Sequence, residues 1–295
     1  MRPIVWLASY PKSGNTWLRL LLANLGRDEP ASINAIHSEG GTASGRRRFD
    51  ETFLFASGLL SHAECDRLRP ALYRDLAQRD DLPSHVDAAV LPGLRFIKTH
   101  DAWTKTDAGE PLLGGAVAAR LAVLIVRDPR DLAASLANHN SQPLDDAIAA
   151  MARADSAVAG ADDRQALQLR QQLRGWSGFN GSWLDQCDVP VHLLRYEDLL
   201  ADTVGELRRV LAALDLALDP ALLQRAADLS DFAGLQAQEE RSGFREAPVR
   251  LGEGRFFRSG RAGGWRQELT PAQAARIEAD HAAMMRRCGY LPELP

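Results

Sequence analysis

The segment 9–17, SYPKSGNTW, combines residue types that bind a phosphate or a similar anion. It follows an apolar run and precedes a helical pattern, so its backbone N–H groups and a helix N-terminus would face the same anion. Lys12 supplies a mobile positive charge, and Gly14 lets the backbone approach closely. Further hydrogen-bond donors are Ser13, Asn15 and Thr16.

The spacing of this segment argues against ATP. An ATP-binding GxxxxGK[ST] loop places its lysine directly after the glycine, whereas Lys12 precedes Gly14 by two residues. An ordinary strand-to-helix turn, capped by Thr16, is the alternative interpretation of the segment taken alone.

A second group with phosphate chemistry lies in the segment 125–135, IVRDPRDLAAS. Arg127 ends an apolar run and offers a planar fork to a phosphate, while Ser135 could reach the same anion from the following helix. A surface ladder of Arg and Asp side chains at a helix start is the alternative. Because the chain already contains one candidate anion site, we interpret this segment as a second phosphate contact.

The third candidate for chemistry is His100, which ends the segment 96–100, FIKTH. Of the seven histidines, it is the one at the end of a predicted strand, two residues after a lysine, Lys98. Histidine titrates near neutrality and can take a proton from a hydroxyl group, and a nearby cation can neutralise developing negative charge. A buried structural histidine is the alternative for this segment alone.

The charge balance restricts the partners. The 295 residues include 35 basic and 39 acidic side chains, a net charge of -4, so no global positive field would hold nucleic acid or an anionic membrane. Only three of the basic residues are lysines, namely Lys12, Lys98 and Lys105. Genome composition explains the arginine bias as a whole, but a lysine retained under that bias is a candidate for chemistry that arginine cannot perform.

Cysteine usage and hydropathy indicate the compartment. Cys65, Cys187 and Cys288 are odd in number and far apart, which argues against a zinc site and a disulfide scaffold, and we predict no metal site. The apolar run at 4–8 is too short for a signal peptide, and no stretch approaches 18 consecutive apolar residues. We therefore expect a cytoplasmic protein without a membrane span.

The elements that must position these residues alternate between strands and helices. Buried strands are predicted at 4–9, 94–99, 121–126 and 191–196. Helical patterns cover 16–25, 130–138, 164–186, 199–214, 220–229 and 271–288. Such alternation implies parallel βαβ units in a sheet covered on both faces, with ligands bound beyond the carboxyl ends of the strands.

Two stretches, 39–48 and 239–264, are predicted as loops. The first contains the basic run Arg46, Arg47 and Arg48, which we interpret as solvated; an acceptor-docking patch is the alternative.

These motifs together resemble those of the cytosolic-type sulfotransferases, which use 3′-phosphoadenosine-5′-phosphosulfate (PAPS) as sulfuryl donor. Within that family the chain resembles the bacterial members. YPKSGNTW resembles their 5′-phosphosulfate loop, and Lys98–His100 resembles their KTH strand end. The segment 125–135 resembles their 3′-phosphate site, and RSGRAGGWR at 258–266 is similar to their RKGxxGxWK loop.

The resemblance implies a P-loop-like, three-layer α/β/α fold with a central parallel sheet of about four to five strands, built as one domain over 1–295. It also implies in-line transfer of a sulfuryl group to a hydroxyl of a small molecule, leaving adenosine 3′,5′-bisphosphate (PAP). His100 would be the base, Lys12 would stabilise the bridging oxygen and Lys98 the sulfuryl oxygens. The donor contacts implied are Lys12, Ser13, Gly14, Asn15, Thr16, Trp17, Arg127, Ser135, Tyr196, Ser230, Arg258, Ser259 and Gly260.

Two other functions remain open. One is a P-loop kinase-like phosphotransferase that uses ATP and Mg²⁺ on a small metabolite, and the other is a non-catalytic nucleotide-binding protein on the same fold. The acceptor and the oligomeric state also remain open, because the family's Leu-Pro after the histidine is replaced by Asp101-Ala102 and its dimer motif is incomplete. Predicted apolar contacts to the acceptor are Phe49, Phe53, Phe55 and Trp103.

Overall fold

The structure is a computed structural model, and it describes residues 2–37, 42–79, 86–87, 89–161, 166–248 and 255–293. Residues 39–41 of the predicted loop 39–48 and residues 249–254 of the predicted loop 239–264 lie outside the described residues. The same holds for residues 164 and 165 of the predicted helix 164–186.

A parallel sheet of four strands forms the centre of the fold. Its strands are β1 (Ile4–Ser9), β2 (Arg95–Thr99), β3 (Ala119–Val126) and β6 (Val191–Arg195), in the order β2-β1-β3-β6. Trp6 of β1 lies opposite Ile97 of β2 and Ala122 of β3. Every residue of β1 is buried, as the uninterrupted apolar sequence IVWLAS requires of a strand covered on both faces. The predicted parallel sheet is confirmed.

The helices cover both faces of this sheet. In chain order they are α1 (Asn15–Asn24), α2 (Arg46–Phe53), α3 (His62–Gln78), α4 (Gly115–Ala118), α5 (Pro129–Asn140), α6 (Leu144–Ala152), α7 (Gly175–Asp185), α8 (Tyr196–Ala201), α9 (Thr203–Ala212), α10 (Pro220–Asp228), α11 (Phe232–Ser242), α12 (Trp265–Glu268) and α13 (Pro271–Arg287). Alternation along β1 divides the core: Trp6 packs with α3, α5, α6, α7 and α13, whereas Leu7 packs with α1, α9 and α10. The predicted α/β/α layering is confirmed.

Two predicted helices were wrong in part. The described residues of the predicted helix 164–186 form a helix only over α7. Before it, β5 (Gln171–Gln172) pairs antiparallel with β4 (Ala157–Val158). The predicted helix 199–214 is interrupted at Asp202, whose side chain accepts a hydrogen bond from the Gly205 N–H and caps α9.

The two predicted loops also contain helical residues. Arg46, Arg47 and Arg48 form the first turn of α2 rather than a loop, and α11 continues to Ser242.

A buried ion-pair network lies behind the carboxyl end of β2. Arg69 of α3 is fully buried and donates to Asp101, with a distance of 3.1 Å from Nη1 to Oδ1. Its Nε donates to the Tyr73 hydroxyl at 2.9 Å, and Trp183 Nε1 donates to the Asp101 carbonyl at 3.0 Å. Asp101, which departs from the family pattern, therefore anchors the residue that follows His100.

No helix in the described part of the chain is long and apolar enough to cross a membrane.

Candidate active site

The carboxyl ends of the four parallel strands meet at one edge of the sheet, where a cavity of about 800 Å³ opens. Parallel strands place the residues that follow them at the same edge, which is where α/β sheets bind their ligands. Of the site residues predicted from the sequence, those that line the cavity are Lys12, Gly14, Asn15, Thr16, Trp17, Lys98, His100, Arg127, Ser135, Tyr196, Arg258, Ser259 and Gly260. Segments far apart in sequence are thus brought together.

The turn between β1 and α1 has an unusual backbone. Lys12 and Gly14 both have positive φ angles, 70° and 101°, and α1 begins at Asn15 directly after them. A Cβ atom at Gly14 would lie 2.6 Å from Cδ2 of Tyr196, so only glycine fits here. The turn therefore packs against β6's end and presents the N-terminus of α1 to the cavity, a favourable arrangement for an anion.

Lys12 is held in an apolar and electropositive environment. Its Nζ lies 3.6 Å from the centre of the Phe256 ring. Burial, followed by the charges of Arg127 and Lys98, lowers the pKa of Lys12 to about 7. An anion placed in the cavity would favour the charged form of this amine.

Lys98 forms an ion pair that the sequence did not reveal. Its Nζ lies 2.9 Å from Oε2 of Glu246, and Oε1 of the same carboxylate accepts from Arg19 Nη1 at 2.6 Å. Burial lowers the pKa of Lys98, and Glu246 opposes that shift. Glu246 follows α11, in a stretch predicted as loop, so nothing in its local pattern indicated a partner for the strand lysine.

His100 is oriented by two hydrogen bonds. Its Nδ1 donates to the Ser9 carbonyl at 2.6 Å, and its backbone N–H donates to Gln171 Oε1 at 3.1 Å. A carbonyl can only accept, so the neutral ring carries its proton on Nδ1 and its lone pair on Nε2. Burial, followed by the charge of Lys98, lowers the pKa of His100 to about 3, so the ring is neutral at pH 7 with Nε2 unprotonated. Its basicity is therefore below that of the near-neutral histidine expected from the sequence.

Arg127 connects three segments at the cavity. Its Nη1 donates to the Lys12 carbonyl at 3.2 Å, and its Nη2 donates to the Arg261 carbonyl at 3.3 Å. The guanidinium also stacks 4.6 Å from the centre of the Tyr196 ring. Its buried Nε has no partner among the described residues. Arg258, whose Nη2 lies 2.8 Å from Glu268, lines the same cavity.

Three predicted contacts lie deeper or are engaged within the protein. Ser13 and Ser230 are buried and do not line the cavity. Ser230 Oγ accepts from Asn24 at 2.9 Å, and its carbonyl accepts from Trp17 Nε1 at 3.0 Å. The Asn15 amide donates to the Leu7 carbonyl at 2.8 Å, so this side chain fastens the turn to β1.

The predicted apolar acceptor contacts do not line the cavity. Phe49 and Trp103 are buried in the core, and Phe53 and Phe55 pack with Phe49. The cavity wall contains His139 of α5 instead. Burial, with smaller contributions from Lys12 and Lys98, lowers the pKa of His139 to about 3. His139 lies four residues after Ser135, so the two side chains share one face of α5. That spacing could have indicated His139 as a cavity residue from the sequence.

Comparisons with known proteins identify the family and the fold. A protein family described as "Sulfotransferase domain" matches residues 2–289. Mouse sulfotransferase SULT7A1 complexed with PAP has a similar fold, with a TM-score of 0.57 and 17% identity over 97% of this chain and 86% of that chain. Retinol dehydratase with androsterone and PAP has a TM-score of 0.57 and 19% identity over 100% of this chain and 84% of that chain. No curated protein sequence matches the chain.

Proposed function

The chain belongs to the sulfotransferase family, and on that basis we propose that it transfers a sulfuryl group from PAPS to a hydroxyl of a small-molecule acceptor, with His100 as general base. One observation carries the proposal: Lys12, His100 and Arg127, from three separate strand ends, line a single cavity. PAP in two structures of similar fold supports the donor assignment. The whole chain would act as one cytoplasmic domain.

The proton and the sulfuryl group follow a balanced route. The acceptor oxygen attacks sulfur in line and gives its proton to Nε2 of His100. The bond from sulfur to the bridging oxygen breaks, and its electron pair leaves with the 5′-phosphate of PAP. His100 is suited to this step because its Nδ1 proton is already committed to the Ser9 carbonyl.

Two lysines would meet the charge that develops in this step. Lys12 stabilises the bridging oxygen, which becomes more negative as the bond breaks. Lys98 would reach the sulfuryl oxygens by giving up its ion pair with Glu246, whose Oε2 lies 2.9 Å from its Nζ. Ser135 also lines the cavity. Its hydroxyl would hold the Lys12 amine away from the donor until the acceptor binds.

The other end of the donor would lie against Arg127 and Arg258. A planar guanidinium suits a static phosphate, and Arg127 still has an unpartnered Nε–H among the described residues. Trp17 and Tyr196 pack edge to face, with ring centres 6.0 Å apart, and both line the cavity where an adenine could stack.

Ligand selectivity tests the proposal against the two alternatives. Calorimetric titration should show PAP binding at least about 10-fold more tightly than ATP with Mg²⁺, because two separate cationic sites match its two phosphates. Tighter binding of ATP with Mg²⁺ would favour the kinase. Tight PAP binding without sulfation of any hydroxylated compound would favour the non-catalytic protein.

A further inference from the structure

The charge that lines the cavity exceeds what the proposed donor uses. Among the described residues in its wall, the only carboxylate is Glu246, against eight Lys and Arg side chains. Four of these cations, Lys12, Lys98, Arg127 and Arg258, belong to the donor site proposed above. The other four are Arg46, Arg47, Arg153 and Arg245.

Arg46, at the start of α2, is held differently from the other arginines at this end. Its Nε donates to the Ala166 carbonyl at 2.9 Å and its Nη1 to Ser57 Oγ at 2.9 Å. Its Nη2 lies 3.4 Å from the Gln168 carbonyl. All three acceptors are uncharged, and within the described part of the chain no carboxylate lies at ion-pair distance from this side chain.

Arg47, Arg153 and Arg245, by contrast, are all exposed, and the first two have carboxylate partners. Arg47 lies 2.8 Å from Glu51, and Arg153 lies 3.1 Å from Asp155. A guanidinium has five N–H donors, so three bonds leave Arg46 with one further N–H on each Nη atom. That pair matches the two oxygens of a carboxylate or a phosphate. Arg46 is thus a fixed cation with two donors available.

A short hydrogen-bonded path fixes Arg46 relative to the base. The His100 backbone N–H donates to Gln171 Oε1, and Gln171 Nε2 donates to Gln168 Oε1 at 2.9 Å. The carbonyl of the same Gln168 is the acceptor for Arg46. The cavity wall also includes the apolar side chains Leu136, Val158 and Leu173. A ligand with its hydroxyl at His100 can therefore place an apolar body along this wall and a charged group at Arg46.

We propose that the acceptor is a hydroxylated organic anion whose carboxylate, or equivalent phosphate or sulfate group, pairs with Arg46 while its hydroxyl faces His100. This inference rests on the proposed function, because it assigns the acceptor end of the same cavity. The net charge of the protein, -4, gives no general attraction for an anion, so recognition must come from local cations. Of the four cations outside the donor site, Arg46 is the one that is partly buried.

Matched pairs of acceptors test the inference. The probes are 4-hydroxyphenylacetate, 12-hydroxydodecanoate and the corresponding amides, which keep the hydroxyl and remove only the charge. We expect the wild type to show a kcat/KM at least about 10-fold higher for an acid than for its amide, as a charge-assisted hydrogen bond would give. The ratio compares two substrates on one enzyme sample, so it is insensitive to the fraction of folded protein.

Variants at Arg46 assign the preference to one side chain. Arg46→Gln should bring the ratio of acid to amide near one, mainly through a higher KM for the acid, and Arg46→Lys should restore part of it. Arg120→Gln is the matched control, because Arg120 is exposed, pairs with Asp215 and lies near the amino end of β3. The control should keep the wild-type ratio.

The possible outcomes distinguish a failure of the anionic acceptor from a failure of the proposed sulfotransferase function. Amides sulfated as well as the acids by the wild type, failure to sulfate either acid, or an unchanged ratio in Arg46→Gln would overturn the anionic acceptor. None of these results depends on PAP binding, which is measured separately by calorimetry. A protein that does not bind PAP would instead overturn the proposed function.

Discussion

The two ends of the cavity are built from different kinds of chain segment. Much of the proposed donor end comes from residues that follow buried strands, such as Lys12 after β1 and Arg127 after β3, and Arg258 reaches it from the segment before α12. The proposed acceptor end comes from the start of α2, from the residues around Gln168 and from the last turn of α5, where His139 lies. The first end is fixed by the sheet, and the second by contacts between distant segments.

This difference has a physical basis in burial. Residues 4–9 of β1 are completely buried, so the turn that follows has little room to move. At the other end Leu167 lines the cavity and is 94% exposed, and Arg153 is exposed as well. A site held by strand ends suits a donor that never changes, while a site on exposed segments can differ between relatives without disturbing the core.

Removing the base should have the largest effect, because it lies where the two ends meet. His100→Ala should lower kcat by about 10²-fold or more, the contribution of a positioned general base. PAP affinity should stay within a few-fold of the wild type. Steady-state PAP release and calorimetry measure these two quantities, and near-normal turnover in this variant would exclude His100 as the base.

The next effect concerns the type of cation at the donor end. Lys12→Arg keeps the charge but should lower kcat by about 10²-fold, the loss expected for one misplaced electrostatic contact. The Lys12 amine, 3.6 Å from the centre of the Phe256 ring, is a compact point charge, whereas a guanidinium spreads its charge over a longer planar fork and would not place it at the bridging oxygen. Lys105→Arg is the control, since Lys105 is exposed and outside the cavity wall, and it should leave kcat unchanged. An active Lys12→Arg enzyme would reduce the scarcity of lysine to codon usage.

The rigidity of the donor end can be tested by one methyl group. Gly14→Ala places a Cβ 2.6 Å from Tyr196 and strains a left-handed backbone by about 1–2 kcal/mol. PAP affinity should fall about 10-fold, while the preference between an acidic acceptor and its amide should persist. A variant that binds PAP normally would show that the turn between β1 and α1 can adapt. The donor end would then be no more rigid than the acceptor end.

The smallest effect is a pH dependence of donor-end binding. The pKa of Lys12 is lowered to about 7, so at pH 8 most of its amine is neutral in the ligand-free protein. A bound polyanion favours the ammonium form, so binding at pH 8 should take up a fraction of a proton, and affinity should fall a few-fold as the pH rises from 7 to 9. Calorimetry in buffers of different ionisation enthalpy measures the uptake. Lys12→Met should abolish it; persistent uptake would place the titrating group elsewhere.

The sequence predicted much of the donor end because its signals are local. The four sheet strands were predicted within two residues, since apolar runs of this length leave few alternatives for a chain this size. The chemistry-bearing residues lie at the carboxyl ends of those strands or shortly after them, so Lys12, Lys98, His100 and Arg127 could be placed together from the sequence.

The proposed acceptor end was predicted less well, because its contacts join distant segments. An acceptor-docking patch at Arg46, Arg47 and Arg48 was only the alternative interpretation of that basic run. The prediction of helix 164–186 followed polar and apolar spacing, yet Gln171 pairs with Val158 and orients His100. Glu246 reaches Lys98 from a stretch that had no periodic pattern. The aromatic residues predicted to contact the acceptor, such as Phe49, were needed in the core instead. Such pairings depend on tertiary structure, which local spacing does not encode.

Sulfation itself tests the central claim most directly. The protein is incubated with PAPS and the two hydroxy acids, with His100→Ala in parallel, and mass spectrometry scores the acceptor and the nucleotide together. We predict that the wild type adds one sulfuryl group to the acceptor hydroxyl and forms an equal amount of PAP, while His100→Ala forms about 10²-fold less of both. Consumption of PAPS without any sulfated product, across a wide panel of hydroxylated compounds, would contradict the account.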